Sequence, residues 1–215
     1  MKISDLNEYY DKLQQKHGAK ELNSIYNGGK EDNPDILFIF MNPTGKNIAS
    51  LKEWQGIRSP WIGTKNIWKL FHSINLLDQS LFEEIINKHS SEWTPDFALK
   101  VYDNVKSHNY FITNLGKCTQ IDARHIPDSV YKEYLDLLTT EISIIKPKII
   151  ITFGNQVSSL FLDSKIEVSK CRKQSYDKLI NDITYKVYPV YYPIGNGMRN
   201  IDKAIEDLKY IIGSV

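Results

Sequence analysis

The sequence predicts an α/β chain, a three-layer α/β/α sandwich around a mainly parallel, four-stranded central sheet. Three observations carry this. Four short apolar runs, at 35–41, 110–113, 148–153 and 186–191, read as strands. The first, Asp35-Ile36-Leu37-Phe38-Ile39-Phe40-Met41, is continuous rather than alternating, as a strand covered on both faces must be. Stretches of helical period separate the runs, and parallel neighbours need such crossovers, which are almost always right-handed.

The elements follow in order. Residues 5–16 place Leu6, Tyr9, Tyr10 and Leu13 on one helical face, behind Asp5 and Glu8 at capping-box spacing. Asn27-Gly28-Gly29 and Asn33-Pro34 supply turn chemistry before the first strand. A helix over 64–76 takes Thr64 as its N-cap and buries Ile67, Leu70, Phe71 and Ile74; another covers 79–88. The longest helix, 128–145, carries Leu135, Leu138, Ile142 and Ile145 as its apolar stripe and stops before Pro147. Residues 155–161 and 202–212 give two more. With no repeat, low-complexity tract or linker, residues 1–215 are expected to form a single domain, with 1–34 as an N-terminal helix and lead-in.

Composition narrows the class. A chain of 215 residues, 41% hydrophobic and 12% aromatic, can fill a sizeable core, which excludes disordered, collagen-like and disulfide-rich classes. Its apolar runs fall far short of the roughly 20 residues that cross a bilayer. The first residues lack an apolar h-region and a small-residue cleavage site, so the expectation is a cytoplasmic chain whose two thiols, Cys118 and Cys171, are reduced. Lys+Arg number 27 against 26 Asp+Glu, but the charge is segregated. Residues 42–72 hold Lys46, Lys52, Arg58, Lys65 and Lys69 against Glu53, a local +4, and 73–105 are acidic by the same amount. A solvated surface produces such runs, so the motifs within them must decide their meaning.

Ligands of open α/β sheets bind beyond the carboxyl ends of the strands. The four predicted strands run into Asn42-Pro43-Thr44-Gly45-Lys46, Asn114-Leu115-Gly116-Lys117-Cys118, Gly154-Asn155-Gln156 and Tyr192-Pro193-Ile194-Gly195-Asn196-Gly197-Met198-Arg199. All four ends carry Asn and Gly, suited to sharp turns and to amides that face a ligand. Gly45-Lys46 is not a phosphate loop, because the first glycine would fall at Phe40 and Asn47 stands where Ser or Thr is needed. Metal ligation is not expected either: His17, His72, His89, His108 and His125 are scattered, with no His-Glu-x-x-His and no Cys-x-x-Cys.

Over about residues 35–212 the order of motifs resembles the uracil-DNA glycosylase superfamily. It comprises Met41 to Gly45, the loop Gln55-Gly56-Ile57-Arg58-Ser59-Pro60-Trp61-Ile62-Gly63, a helix, Phe111 to Cys118, and a Pro-initiated helix before 148–153. The first motif is similar to those of the mismatch-specific and single-strand-selective branches. The Gln55 loop and the Asn114 segment are similar to those of the iron-sulfur branch.

The resemblance implies an N-glycosylase that flips a uracil or another deaminated or damaged base out of DNA and releases the free base. On that basis Asn42 positions the water and Tyr192, standing where the superfamily usually has a histidine, assists the departing base. Trp61 stacks on the base, Asn114 reads its edge with one amide that both donates and accepts, and Pro43 lies against it with the amides of 43–46 nearby. Lys46, Lys52, Arg58, Lys65 and Arg199 contact phosphates, and Met198 acts as an apolar wedge. An iron-sulfur cluster takes four thiolates, and Cys118 alone matches a family position, so no cluster and no metal are expected. Cys171, beside Lys170, Arg172 and Lys173, is expected to be an exposed thiol on an irregular insertion. DNA is the expected partner; neither a membrane nor an obligate protein partner is implied. The alternatives are a weak or inactive member that binds nucleic acid or a free nucleobase, and a hydrolase or transferase of small nucleosides or nucleotides.

Overall fold

The computed structural model describes residues 1–214. A 3-10 turn at Ile3–Leu6 leads into α1 (Asn7–His17). Then come β1 (Asn27–Gly29), β2 (Ile36–Phe40), α2 (Asn66–Ser73), α3 (Gln79–Asn87), α4 (Pro95–Ser107), β3 (Tyr110–Asn114) and α5 (Asp128–Ile145). The chain continues through β4 (Ile149–Phe153), α6 (Asn155–Leu162), β5 (Tyr176–Ile180), β6 (Ile183–Val190) and α7 (Ile201–Ile212).

The sheet has six strands in the order β1-β3-β2-β4-β6-β5, not four. The expected parallel four are its interior, and β1 and β5 add antiparallel edges. Neither edge strand has an apolar run: Asn-Gly-Gly reads as a turn, and Tyr176–Ile180 alternates because one face meets water. β5 and β6 close through Asn181 and Asp182, both at positive φ, as a tight hairpin turn requires.

Strand pleating sorts the core into two layers. Phe38, Phe40, Tyr110, Ile112, Ile151 and Phe153 face α2, α3, α4 and α7. Leu37, Ile39, Phe111, Ile150 and Val187 face α1, α5 and α6. From β2 the chain first reaches β3 on one side, then returns through α5 to β4 on the other. The carboxyl end of β2 is therefore the switch point at which such sheets open a crevice.

Several local expectations are corrected. Asp5 caps the short turn before α1, accepting the Lys2 amide at 2.8 Å. Thr64 is not the N-cap of α2, which starts after Lys65, because its hydroxyl is engaged elsewhere. A further helix, α4, lies where no expected element falls: Thr94 caps it by accepting the Phe97 amide, and Pro95 opens its first turn. Cys171 is buried against Ile166 and Val168 instead of exposed, since the segment after α6 folds into a small apolar cluster of its own. No helix among the described residues is long and apolar enough to cross a membrane.

Candidate active site

The site is organised around Phe40, the last residue of β2. Its ring stacks on Phe153 at 4.4 Å, meets Trp61 edge-on at 5.0 Å, and faces Tyr192 at 6.4 Å and 81°. Asn114 ends β3 directly opposite Phe40, so its side chain leaves the sheet on the same face. Three of the four principal residues read from the sequence thus surround one ring at the carboxyl end of the parallel sheet.

Asn114 is only 2% exposed, and its Oδ1 has no hydrogen-bond partner among the described residues. A buried amide oxygen without a donor costs about 1–3 kcal/mol, which a ligand N–H would recover. Trp61 is likewise held at a cost. It has φ +68°, a left-handed conformation unfavourable for a bulky side chain. Three donors fix its carbonyl there: the Thr64 amide at 3.1 Å, the Thr64 hydroxyl at 2.7 Å and the Trp68 indole at 3.2 Å. The Trp61 indole N–H, by contrast, is buried without a partner.

Asn42 lies just past β2 and is half-buried. Its Oδ1 accepts the Tyr131 hydroxyl at 2.8 Å, and its Nδ2 donates to the Pro43 carbonyl at 3.0 Å. That carbonyl also accepts the Gln120 amide at 3.2 Å, so the buried Pro43 supports Asn42 through its backbone. Of the amides expected to face a carbonyl, Pro43 has none and Gly45 donates to Gln120 at 2.8 Å, leaving those of Thr44 and Lys46. Tyr131, in the first turn of α5, has no motif around it in the sequence and reaches Asn42 only through the fold.

Burial pushes the Tyr192 phenol well above its ordinary value, so it is a neutral donor throughout the physiological range. The chain then turns back over it. A Cβ at Gly197 would stand 1.9 Å from the Tyr192 carbonyl, so only glycine fits. The 3-10 turn Gly195–Asn200 that follows carries Met198, 41% exposed, and Arg199, also exposed, on the rim.

The basic loop departs most from expectation. The Arg58 guanidinium is engaged within the chain: it bonds both Asp11 oxygens at 3.1 and 3.2 Å and lies 4.1 Å over Tyr26. Lys65 donates to the Ile86 carbonyl at 2.5 Å and Lys52 to Asn23 at 2.9 Å. Lys46 stays exposed, with no ion pair among the described residues.

Behind Asn114 sits a buried ion pair. Lys117 Nζ is 3.0 Å from Glu141 Oε2, and both are essentially inaccessible. Lys117 also bonds Thr113 Oγ1, while Glu141 accepts from Tyr10 at 2.8 Å and Asn27 at 3.3 Å. Burial draws the Lys117 ammonium below its ordinary pKa, and Glu141 opposes that shift. The pair ties the turn after β3 to α5, α1 and β1.

A sequence model of the Uracil DNA glycosylase superfamily matches residues 28–209. The chain belongs to the uracil-DNA glycosylase superfamily. No curated protein matches it significantly in sequence. The chain has two cysteines, Cys118 and Cys171, buried in different apolar clusters, and burial pushes the Cys118 thiol up. Among the described residues no three His, Cys, Asp or Glu side chains are grouped to hold a metal. Two clefts, of about 490 Å³ beside Trp54 and Trp93 and about 370 Å³ beside Tyr26 and Tyr102, open elsewhere on the surface and include none of Asn42, Trp61, Asn114 or Tyr192.

Proposed function

We propose that the protein hydrolyses the N-glycosidic bond of a deaminated or damaged base in DNA. The observation that carries this reading is the gathering of Trp61, Asn114 and Tyr192 around Phe40, with the Asn114 amide oxygen buried and unpaired. A base turned out of the strand supplies an N–H to Asn114 Oδ1 and a face to the aromatic wall. The Tyr192 hydroxyl donates to a carbonyl oxygen as negative charge grows on the departing base. Asn42 offers the remaining lone pair of Oδ1 to a water hydrogen, so the water's own lone pair points at the sugar carbon.

An amide and a phenol held protonated cannot accept the water's proton. The glycosidic bond must therefore break well ahead of water addition, and the proton passes to solvent. Lys46 and Arg199 hold flanking phosphates, and Met198 fills the space the base vacates. The reaction proposed needs neither a metal nor a cluster.

Release of free base from single- and double-stranded oligonucleotides carrying uracil, hypoxanthine, xanthine or hydroxymethyluracil tests this reading. Product from at least one substrate supports it. No product from any, beside a working control glycosylase, rejects catalysis on these lesions. The neutral Tyr192 also favours a second reading, a member that binds the flipped or free base without turnover. Saturable binding with no base release would select it.

A further inference from the structure

We propose that Tyr131 is the positioning residue of this site, tethering the Asn42 amide so that its Oδ1 is held toward the water. The inference rests on Asn42 being the water-holding residue. An asparagine amide has two nearly isosteric ends with opposite chemistry. With Oδ1 toward the water it accepts a hydrogen and leaves the water's lone pair free; with Nδ2 there it donates to that lone pair and blocks attack. Nothing in Asn42 itself selects between them.

The surrounding chain does. Tyr131 donates to Oδ1 at 2.8 Å while the Pro43 carbonyl takes Nδ2 at 3.0 Å, so flipping the amide would set its C=O against the Pro43 C=O. The Pro43 carbonyl thus sets the sense of the amide, and the Tyr131 hydroxyl, the one side-chain partner of Oδ1 among the described residues, holds it in place. Its ring has a prepared place. A Cβ at Gly116 would lie 3.0 Å from Tyr131 Cε1 and 3.7 Å from the Asn42 Cβ, so the bare glycine leaves the ring its close approach and any side chain there would press on it. The Gly116 amide, bonded to the Met41 carbonyl at 2.9 Å, keeps that backbone in register with the end of β2. At the other end, Gln156 donates to Asp128 Oδ1 at 2.7 Å and to the Ile126 carbonyl at 3.3 Å, fastening the first turn of α5 to α6.

The test is Tyr131→Phe, which keeps the ring and removes the hydroxyl, in single-turnover base release from a uracil-containing single-stranded oligonucleotide. The rate of the chemical step should fall about 10- to 100-fold, the effect of one orienting hydrogen bond, with oligonucleotide affinity changed less than about twofold. An unchanged rate in Tyr131→Phe overturns the proposal. The Asn42 side-chain NH₂ signals in NMR report the tether independently of turnover. They should be sharp and dispersed in the wild-type chain and averaged in Tyr131→Phe. Unchanged signals overturn the positioning role, whereas altered signals in a chain that releases no base reject the glycosylase reading alone.

Discussion

Replacing Glu141 by glutamine keeps the shape of the side chain and an acceptor for Tyr10 but leaves the Lys117 ammonium buried without its anion. At the 3.0 Å separation, the lost attraction is about 5.5 kcal/mol for an effective dielectric constant near 20. Breaking one side of buried pairs typically costs about 3–5 kcal/mol. For a chain of this size that corresponds to a fall in Tm of about 6–20 °C. Lys117 also sets a pH signature. Its folded pKa lies below the ordinary 10.5, so between those values the unfolded chain binds more protons and stability rises with pH. Losing Glu141 widens that window, and the deficit of Glu141→Gln should shrink as pH climbs toward 10.5. Urea unfolding of the wild type, Glu141→Gln and the triple variant Lys117→Met/Glu141→Leu/Tyr10→Phe, repeated at two pH values, measures all of this. The triple variant, which leaves neither a lone charge nor the Tyr10 hydroxyl unpaired, should be more stable than the single one. A loss below about 1 kcal/mol in Glu141→Gln, or a triple variant less stable than it, would refute the view that the pair is a buried, mutually dependent unit.

Other outcomes follow from the site. Trp61→Phe keeps an aromatic face and should retain more base release than Trp61→Ala; equal losses would assign the effect to the unpaired indole N–H. With Asn42 unable to titrate and Tyr192 protonated, the rate should be flat over about pH 5–9, and Asn42→Asp should introduce a fall on the acid side. With Arg58 engaged by Asp11, phosphate contacts reduce to Lys46 and Arg199, so the slope of log K against log salt for a single strand should be about −1.4; one steeper than about −4 would show that other cations engage. Lys173 and Arg172 hold the Glu206 carboxyl down at about 2 from an ordinary 4.5. Its contribution to stability should persist above pH 4.5 and disappear as pH falls toward 2, readable as the Glu206 midpoint in a carbon-detected NMR titration.

The interior of the sheet was readable because buried parallel strands leave continuous apolar runs, as at Ile36–Phe40 and Ile149–Phe153. The edges were not, since Asn27–Gly29 and Tyr176–Ile180 are defined by backbone pairing to a neighbour and not by their own pattern. Site residues at strand ends were readable for the same reason as the strands: once β2 and β3 are placed, Asn114 must stand beside Phe40. What escaped depends on contacts between distant positions. Tyr131 is 89 residues from Asn42, Asp11 is 47 from Arg58, and nothing local in either segment signals the partner. Both contacts add to what the segments show alone: Arg58 braces the loop against α1, and Tyr131 reaches across from α5 to the end of β2.

Phe40 belongs to two things at once. Its ring is wholly buried in the layer with Phe38 and Phe153, and it is also the surface around which Trp61, Tyr192 and Asn114 assemble. The floor of the site is thus the roof of the core. Tuning what this chain accepts by resizing that floor would trade directly against its ability to fold, since trimming a buried phenylalanine to alanine costs about 3–5 kcal/mol. Attempts to redirect it to a different ligand have their room for manoeuvre at the rim, in Asn42, Trp61 and the turn that carries Met198, where a side chain can change without unpacking the sheet beneath.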